Sequence, residues 1–246
     1  MAYAERPENM ITENRYDEEL TKKLTDFCRE EAGIDLFGIA DVDLLNAKAR
    51  PGRRPVDLYP SARAVMVIGV GLLDHFARGW VRKGNSGKFY SLALLEIERR
   101  CWLVRRFLRQ KGYRCFAGET YGGGLMNTGI CFTRTAESCG VGYVGKNNTL
   151  VTEKYGPRIN MTCMATDAPL KPDIVKAESR CGKCRACQNA CMSGAVLGDG
   201  FFHQRQCESI INCQPNKRFY SDHVDQDCDN CLAVCPQGEY KWRRRK

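Results

Sequence analysis

Cys181-Gly-Lys-Cys184-Arg-Ala-Cys187-Gln-Asn-Ala-Cys191 is answered downstream by Cys228-Asp-Asn-Cys231-Leu-Ala-Val-Cys235-Pro236. The first stretch has C-x2-C-x2-C-x3-C spacing, which arranges thiolates around [4Fe–4S] clusters. Short x2 steps let one turn aim several thiolates at one face of an iron–sulfur cube. The fourth ligand then has to come from elsewhere in the chain. The expected arrangement therefore crosses the motifs. Cys181, Cys184 and Cys187 are completed by Cys235. Cys228 and Cys231 are completed by Cys191 and Cys207, with Cys213 as the rival to Cys207. A zinc ribbon also uses C-x2-C pairs, but two four-cysteine groups with this spacing fit it poorly. Met192 follows Cys191 where such motifs usually carry Pro, as Pro236 does after Cys235; the change alters a turn and leaves ligation alone.

The rest of the composition supports a metal role for these cysteines. The chain has 246 residues, 15 of them Cys, and no basic-then-apolar leader at its start, Met1-Ala-Tyr-Ala-Glu-Arg. That start predicts a cytoplasmic protein, and thiols in a reducing compartment bind metal more readily than they form disulfides. The longest apolar run, Ala64 to Leu73, is far short of the roughly 20 residues that span a bilayer, so no membrane role is expected. The net charge of +9 is concentrated partly in the tail Lys241-Trp-Arg-Arg-Arg-Lys246. Such a tail reads first as a solvated end and second as a contact for nucleic acid or an acidic protein. The seven other cysteines, Cys28, Cys101, Cys115, Cys131, Cys139, Cys163 and Cys213, read as small buried residues without a redox role.

Upstream, helical and strand patterns mix without a βαβ rhythm, which predicts an α+β domain. Residues 1–16 are polar and read as a tail. Asp17 reads as an N-cap before Leu20, Leu24 and Phe27, with Gly33 as the stop. Ile34–Ala40 and Ala64–Val70 read as strands. Leu94, Ile97, Cys101, Val104 and Leu108 form the stripe of a helix from Ser91 to about Gln110, stopped by Gly112. Tyr113–Ala117 and Arg158–Ala165 read as further strands. Residues 118–148 carry eight glycines and must bring backbone close to another segment or to a ligand. The resulting division is a tail at 1–16, an α+β domain at 17–172, a cysteine-rich module at 173–240 and a basic tail at 241–246.

One motif is misleading. Gly140-Val-Gly-Tyr-Val-Gly-Lys146 matches G-x-G-x-x-G and nearly matches a phosphate loop. However, Phe132–Cys139 does not read as a buried strand, and Asn147 stands where a Ser or Thr would hold Mg²⁺.

The same segment carries a resemblance. Gly140 to Arg158, continuing to Thr166-Asp-Ala-Pro-Leu170, together with Phe37-Gly-Ile-Ala-Asp41 and Leu58 to Val70, resembles corrinoid-dependent reductive dehalogenases. More loosely, it resembles epoxyqueuosine reductases. The resemblance covers about residues 17–240. It implies a nitroreductase-like corrinoid-binding α+β domain followed by a ferredoxin-like two-[4Fe–4S] module. The implied cofactors are both clusters and a base-off cobalamin. The implied chemistry is electron flow through the clusters to cobalt. That flow ends in one of two ways: Co(II) is reduced to Co(I) as a cobalamin reductase would do it, or a small organic substrate is reduced. A pure electron carrier and a tRNA-modifying epoxyqueuosine reductase are the alternatives. Implied partners are cobalamin, a low-potential donor such as a ferredoxin or flavodoxin, and a corrinoid protein, with nucleic acid ranked last. Tyr90 lines up with the family's proton-donating tyrosine and Lys146 falls near its basic residue. Corrinoid contacts are implied at Met126, Asn127, Gly142, Tyr143, Val144, Gly145, Asn147 and Asn148. Epoxyqueuosine reductases carry an acid about where Met126 and Asn127 stand, and this departure counts against epoxide reduction.

Overall fold

Ala64–Gly71 (β2) runs down the middle of the main sheet, in a computed structural model that describes residues 15–73, 80–82, 89–117, 130–198, 200–207, 224–225 and 228–241. Its neighbours are β1 (Leu36–Asp41) and β8 (Ile159–Thr166), with β5 (Cys115–Ala117) outside β8, and every pairing is antiparallel. An unbroken β-branched and apolar run suits a strand covered on both faces. Successive side chains of β2 alternate accordingly. Ala64, Met66, Ile68 and Val70 enter one core with Ile39 and Met164. Val65 and Val67 enter the other with Cys163 and Ala165.

Helices cover each face. The first core is closed by α1 (Glu18–Asp26) through Leu20 and Leu24, and by α4 (Leu92–Gln110) through Ile97, Cys101, Val104 and Leu108. Burying each of these large aliphatic side chains stabilises the fold by about 1.5–3 kcal/mol. The expected stripe of α4 is thus the face that packs, apart from Leu94, and Gly112 ends it at φ +88°. Asp17 caps α1 by accepting a 2.8 Å hydrogen bond from the Leu20 N–H. The helix does not run evenly to Gly33: Phe27–Glu31 widens into a π-helical turn. The opposite core is closed by α5 (Phe132–Ser138), which brings Phe132, Ala136 and Cys139 onto the sheet. Two short helices, α2 (Val42–Lys48) and α3 (Pro55–Leu58), link β1 to β2. Asp167 ties the sheet's far end by accepting from the Tyr59 hydroxyl at 3.0 Å and from the Arg114 N–H at 2.8 Å.

Before the glycine loop, β3 (Trp80–Arg82) pairs with β4 (Phe89–Ser91). After it, β6 (Tyr143–Val144) pairs with β7 (Leu150–Val151). Residues 169–185 form no helix or strand, and Asp173 anchors this stretch to β1 through two 2.8 Å hydrogen bonds with the Ile39 backbone. The cysteine-rich region follows: α6 (Ala186–Ala190), the hairpin β9 (Val196–Gly198) and β10 (Phe201–Phe202), a helical turn α7 at 204–207, β11 (Val224–Asp225) and α8 (Asn230–Ala233). β11 pairs with β3, so this region returns onto the strand pair that precedes α4. Among the described residues no helix is long and apolar enough to cross a membrane.

Candidate functional site: a cysteine-lined centre against the sheet domain

The site is built from two loops that each end in one helical turn. Gly182, at φ +43°, makes the bend after Cys181, and the Cys184 N–H closes it on the Cys181 carbonyl at 2.9 Å. Only glycine takes this left-handed conformation at no steric cost. Cys187 rides on α6 and Cys191 caps it. In the second loop Cys231 rides on α8, and Cys235 follows it with its N–H on the Leu232 carbonyl at 3.3 Å. α6 packs against α8, which draws the two loops together.

The thiols then fall into sets. Burial raises the Cys187 thiol, and the neighbouring Cys181 and Cys235 raise it further. Burial likewise raises Cys235, with Cys181 and Cys184 adding to it. Cys181, Cys184, Cys187 and Cys235 therefore sit within electrostatic reach of one another, and a positive centre placed among them would reverse these shifts. At Cys191, burial is outweighed by hydrogen bonds from the Ser193 hydroxyl and from the backbone N–H groups of Val196, Ala195 and Ser193, so this thiol falls below its ordinary value. Cys207, Cys228 and Cys231 are half-buried, and Cys213 lies outside the described residues. Among the described residues no three His, Cys, Asp or Glu side chains converge on a single metal ion. A four-iron cube takes its thiolates at separate corners and does not need that convergence, so the donor set fits a [4Fe–4S] cluster better than zinc.

The sheet domain presses directly on this centre. Arg158, the residue before β8, is fully buried. Its Nε donates to the Tyr240 carbonyl at 2.9 Å, and its Nη1 to the carbonyls of Leu232 at 3.0 Å and Cys235 at 3.1 Å. Its Nη2 donates to the Gln237 carbonyl. Lys146 Nζ donates to the carbonyls of Gly182 at 2.7 Å and Cys184 at 3.2 Å. Tyr143 is buried beside Cys181, and burial followed by the Cys181 and Cys235 charges pushes its phenol up to about 12. Its hydroxyl makes no hydrogen bond of normal geometry.

These placements recast several sequence expectations. Lys146 and Tyr143 face the cysteine loop. The glycines of 140–145 approach other parts of the chain. A Cβ on Gly140 would meet Val175 at 2.6 Å, one on Gly142 the Val151 carbonyl at 2.6 Å, and one on Gly145 the Val151 side chain at 2.8 Å. Close packing of chain on chain thus accounts for the glycines in this part of the loop. Asn147 is buried, and its Nδ2 has no partner; an orphaned amide donor of this kind suits the carboxamide and phosphate groups on a corrinoid's rim. Val144 and Asn148 lie on the same β6–β7 turn, Asn148 at φ +58°. Tyr90 lies in β4 opposite Val81, just before α4. Met126 and Asn127 lie outside the described residues, as do His75 and the tail 242–246. Cys131 is exposed, contrary to the expectation of burial, because it precedes α5 and does not lie on that helix's packed face. Arg158 was legible only as a strand start, since nothing in a Gly-Pro-Arg sequence marks an arginine for burial.

Comparison with known proteins places this arrangement in context. No family model matches the chain. An epoxyqueuosine reductase of Bacillus subtilis (strain 168) is 32% identical over 205 residues, covering 76% of this chain and 50% of that protein. An epoxyqueuosine reductase of Listeria monocytogenes is 34% identical over 120 residues, covering 46% of this chain and 31% of that protein. The chain spans half or less of the length of these two relatives. Among solved structures, an epoxyqueuosine reductase with a modified tRNA stem loop superimposes with a TM-score of 0.69 at 20% identity, over 92% of this chain and 67% of that one. A reductive dehalogenase described as B12-dependent superimposes with a TM-score of 0.66 at 17% identity, over 93% of this chain and 33% of that one. The chain therefore has the mixed α and β fold seen in both kinds of enzyme.

Proposed function

We propose that the chain is an iron–sulfur reductase of the epoxyqueuosine reductase type, working with a corrinoid and acting on a modified nucleoside in tRNA. The observation that carries this reading is the seating of the Cys181, Cys184, Cys187 and Cys235 set against the sheet domain, held there by Arg158 and Lys146. A ferredoxin-like carrier has no need of such a scaffold, whereas a reductase must deliver electrons to a site on one. The curated relatives named as epoxyqueuosine reductases favour this substrate over cobalamin itself, which was the first expectation from sequence.

In this reading Cys181, Cys184, Cys187 and Cys235 hold one cluster, beside Arg158 and Lys146, and Cys191, Cys207, Cys228 and Cys231 hold the other. When bound, the corrinoid would supply a low-potential metal centre that passes electrons to the substrate. Asn147 would hold its rim through Nδ2. Tyr90 would donate the proton that an opening epoxide oxygen needs. Arg158 and Lys146 keep the two cysteine loops in register through their carbonyls. Removing the epoxide oxygen as water consumes two electrons and two protons: the clusters would deliver the electrons one at a time from a low-potential donor, Tyr90 would give the first proton and solvent the second.

The test is anaerobic turnover of the reconstituted chain with cobalamin, a chemical reductant and tRNA carrying epoxyqueuosine, read by mass spectrometry of the released nucleosides. Cobalamin-dependent loss of the epoxide oxygen is expected, and Tyr90→Phe should reduce that rate at least about 100-fold. Reduction of cobalt with no change in the tRNA would replace this reading with a cobalamin reductase. No corrinoid binding at all would leave an electron carrier.

A further inference from the structure

Arg158 is an unusual cation. It is fully buried, all of its described hydrogen bonds end on backbone carbonyls, and none of its described partners is a carboxylate. Burying a guanidinium without a carboxylate costs several kcal/mol, so a compensating negative charge is expected within reach. Two further cations bond to backbone carbonyls of the cysteine loops. Lys241 donates to the carbonyls of Pro236 and Gly238, within three residues of Cys235. Lys146 donates to Gly182 and Cys184 in the facing loop. All three thus bond to the two segments that carry Cys181, Cys184 and Cys235.

We propose that Arg158, assisted by Lys241 and Lys146, sets the reduction potential of the cluster held by Cys181, Cys184, Cys187 and Cys235, raising it above that of the other cluster. The inference rests on the two-cluster reading above. A cluster ligated by four thiolates is anionic and gains one more negative charge when it accepts an electron from a low-potential donor; no bond is made or broken. A nearby fixed cation therefore stabilises the reduced form more than the oxidised form. Arg158 is shielded from solvent, so salt screens it far less than it would a surface charge. Net charge, hydrogen bonding and exposure are the levers by which proteins move cluster potentials. Arg158 bonds the carbonyl of Cys235, a ligand of this cluster, whereas beside the other cluster it bonds only Leu232, the neighbour of Cys231, so its charge should act more strongly on this cluster. It is a positioning residue, since it touches the ligand's carbonyl and not the reacting atoms.

The experiment is a redox titration of the full reconstituted chain, with dithionite as reductant and electron paramagnetic resonance resolving the two clusters. Iron and sulfide are measured on every sample. In Arg158→Gln one cluster should shift to lower potential at unchanged iron content while the other shifts clearly less. Arg158→Lys should restore most of the shift. Exposed Lys241 gives a variant that keeps the core intact, and Lys241→Gln should move the same cluster in the same direction by less. Unchanged potentials in both glutamine variants would overturn the proposal. So would an equal shift in Arg158→Lys, because geometry and not charge would then be responsible. A wild-type chain that assembles no clusters would overturn the functional reading together with this inference.

Discussion

Cys101, Cys139 and Cys163 lie in the two cores that flank the main sheet, each almost closed to solvent. Cys181, Cys184, Cys187 and Cys235 lie half-buried on loops and a short helix outside the main sheet. The first set is held protonated, since burial pushes Cys101 and Cys139 up to about 12. In the second set Cys187 and Cys235 each meet the charge of neighbouring cysteines. A single residue type is thus a small apolar filler in one half of the molecule and, in the function proposed above, a cluster ligand in the other. What separates the two is whether the backbone around the thiols is already satisfied and packed without them.

The sharpest way to break that contrast is to remove one thiol from each half. Cys235→Ser should lose one cluster, about half of the bound iron, and with it the order of α8 and the tail segment that Arg158 holds. Cys101→Ala should leave iron content unchanged and cost only about 1 kcal/mol of stability. Iron analysis and circular dichroism of the two variants check both. Equal iron loss in the two would mean that the core cysteines are ligands after all.

The seam between the halves offers the next largest effect. Gly238 sits at φ +87°, and a Cβ there would lie 2.2 Å from the Gly156 nitrogen. Backbone meets backbone at this point, so neither side can yield as a flexible side chain would. Gly238→Ala should destabilise the chain by about 2–4 kcal/mol and lower cluster occupancy, both measurable by chemical denaturation and iron analysis. Gly112→Ala carries a similar left-handed φ of +88° but has nothing within 4 Å of its added Cβ. It should cost about 1–2 kcal/mol and leave the iron in place.

Where sequence and structure agree, local chemistry was enough. The apolar run of β2, the Asp17 cap and the stripe of α4 each declare a local preference that packing then uses. The C-x2-C spacing is equally local in origin, and the clusters it implies belong to the function proposed above. Arg158 and Tyr143 lie beyond such reasoning. Arg158 is buried by a segment some eighty residues downstream and Tyr143 lies against the Cys181 loop, and no periodicity records either. The glycines of 140–145 were read correctly as marks of close approach. Their partners, Val151 and Val175, are set by tertiary packing, so the sequence could not say whether chain or ligand would fill the space.

The smallest effect tests the protonated half alone. A thiol whose ordinary value is 9.0 ionises near that pH in the unfolded chain, while burial keeps Cys101 and Cys139 protonated to about 12 in the fold. Between these limits the unfolded state sheds protons that the native state retains, so unfolding becomes easier as pH rises. The stabilisation is complete below pH 9 and is lost as pH climbs towards 12. By one pH unit above the unfolded value each such thiol has forfeited about 1.4 kcal/mol. Cys101→Ala removes one of them, so its stability should fall less steeply than wild type between about pH 8 and pH 10, by roughly 1 kcal/mol. Denaturation of both proteins across that range gives the difference, and any contribution from the clusters cancels because both carry the same cluster ligands. Parallel pH profiles would show that Cys101 ionises in the folded core as readily as it does in solution, and the division between the two sets of cysteines would then be one of position only.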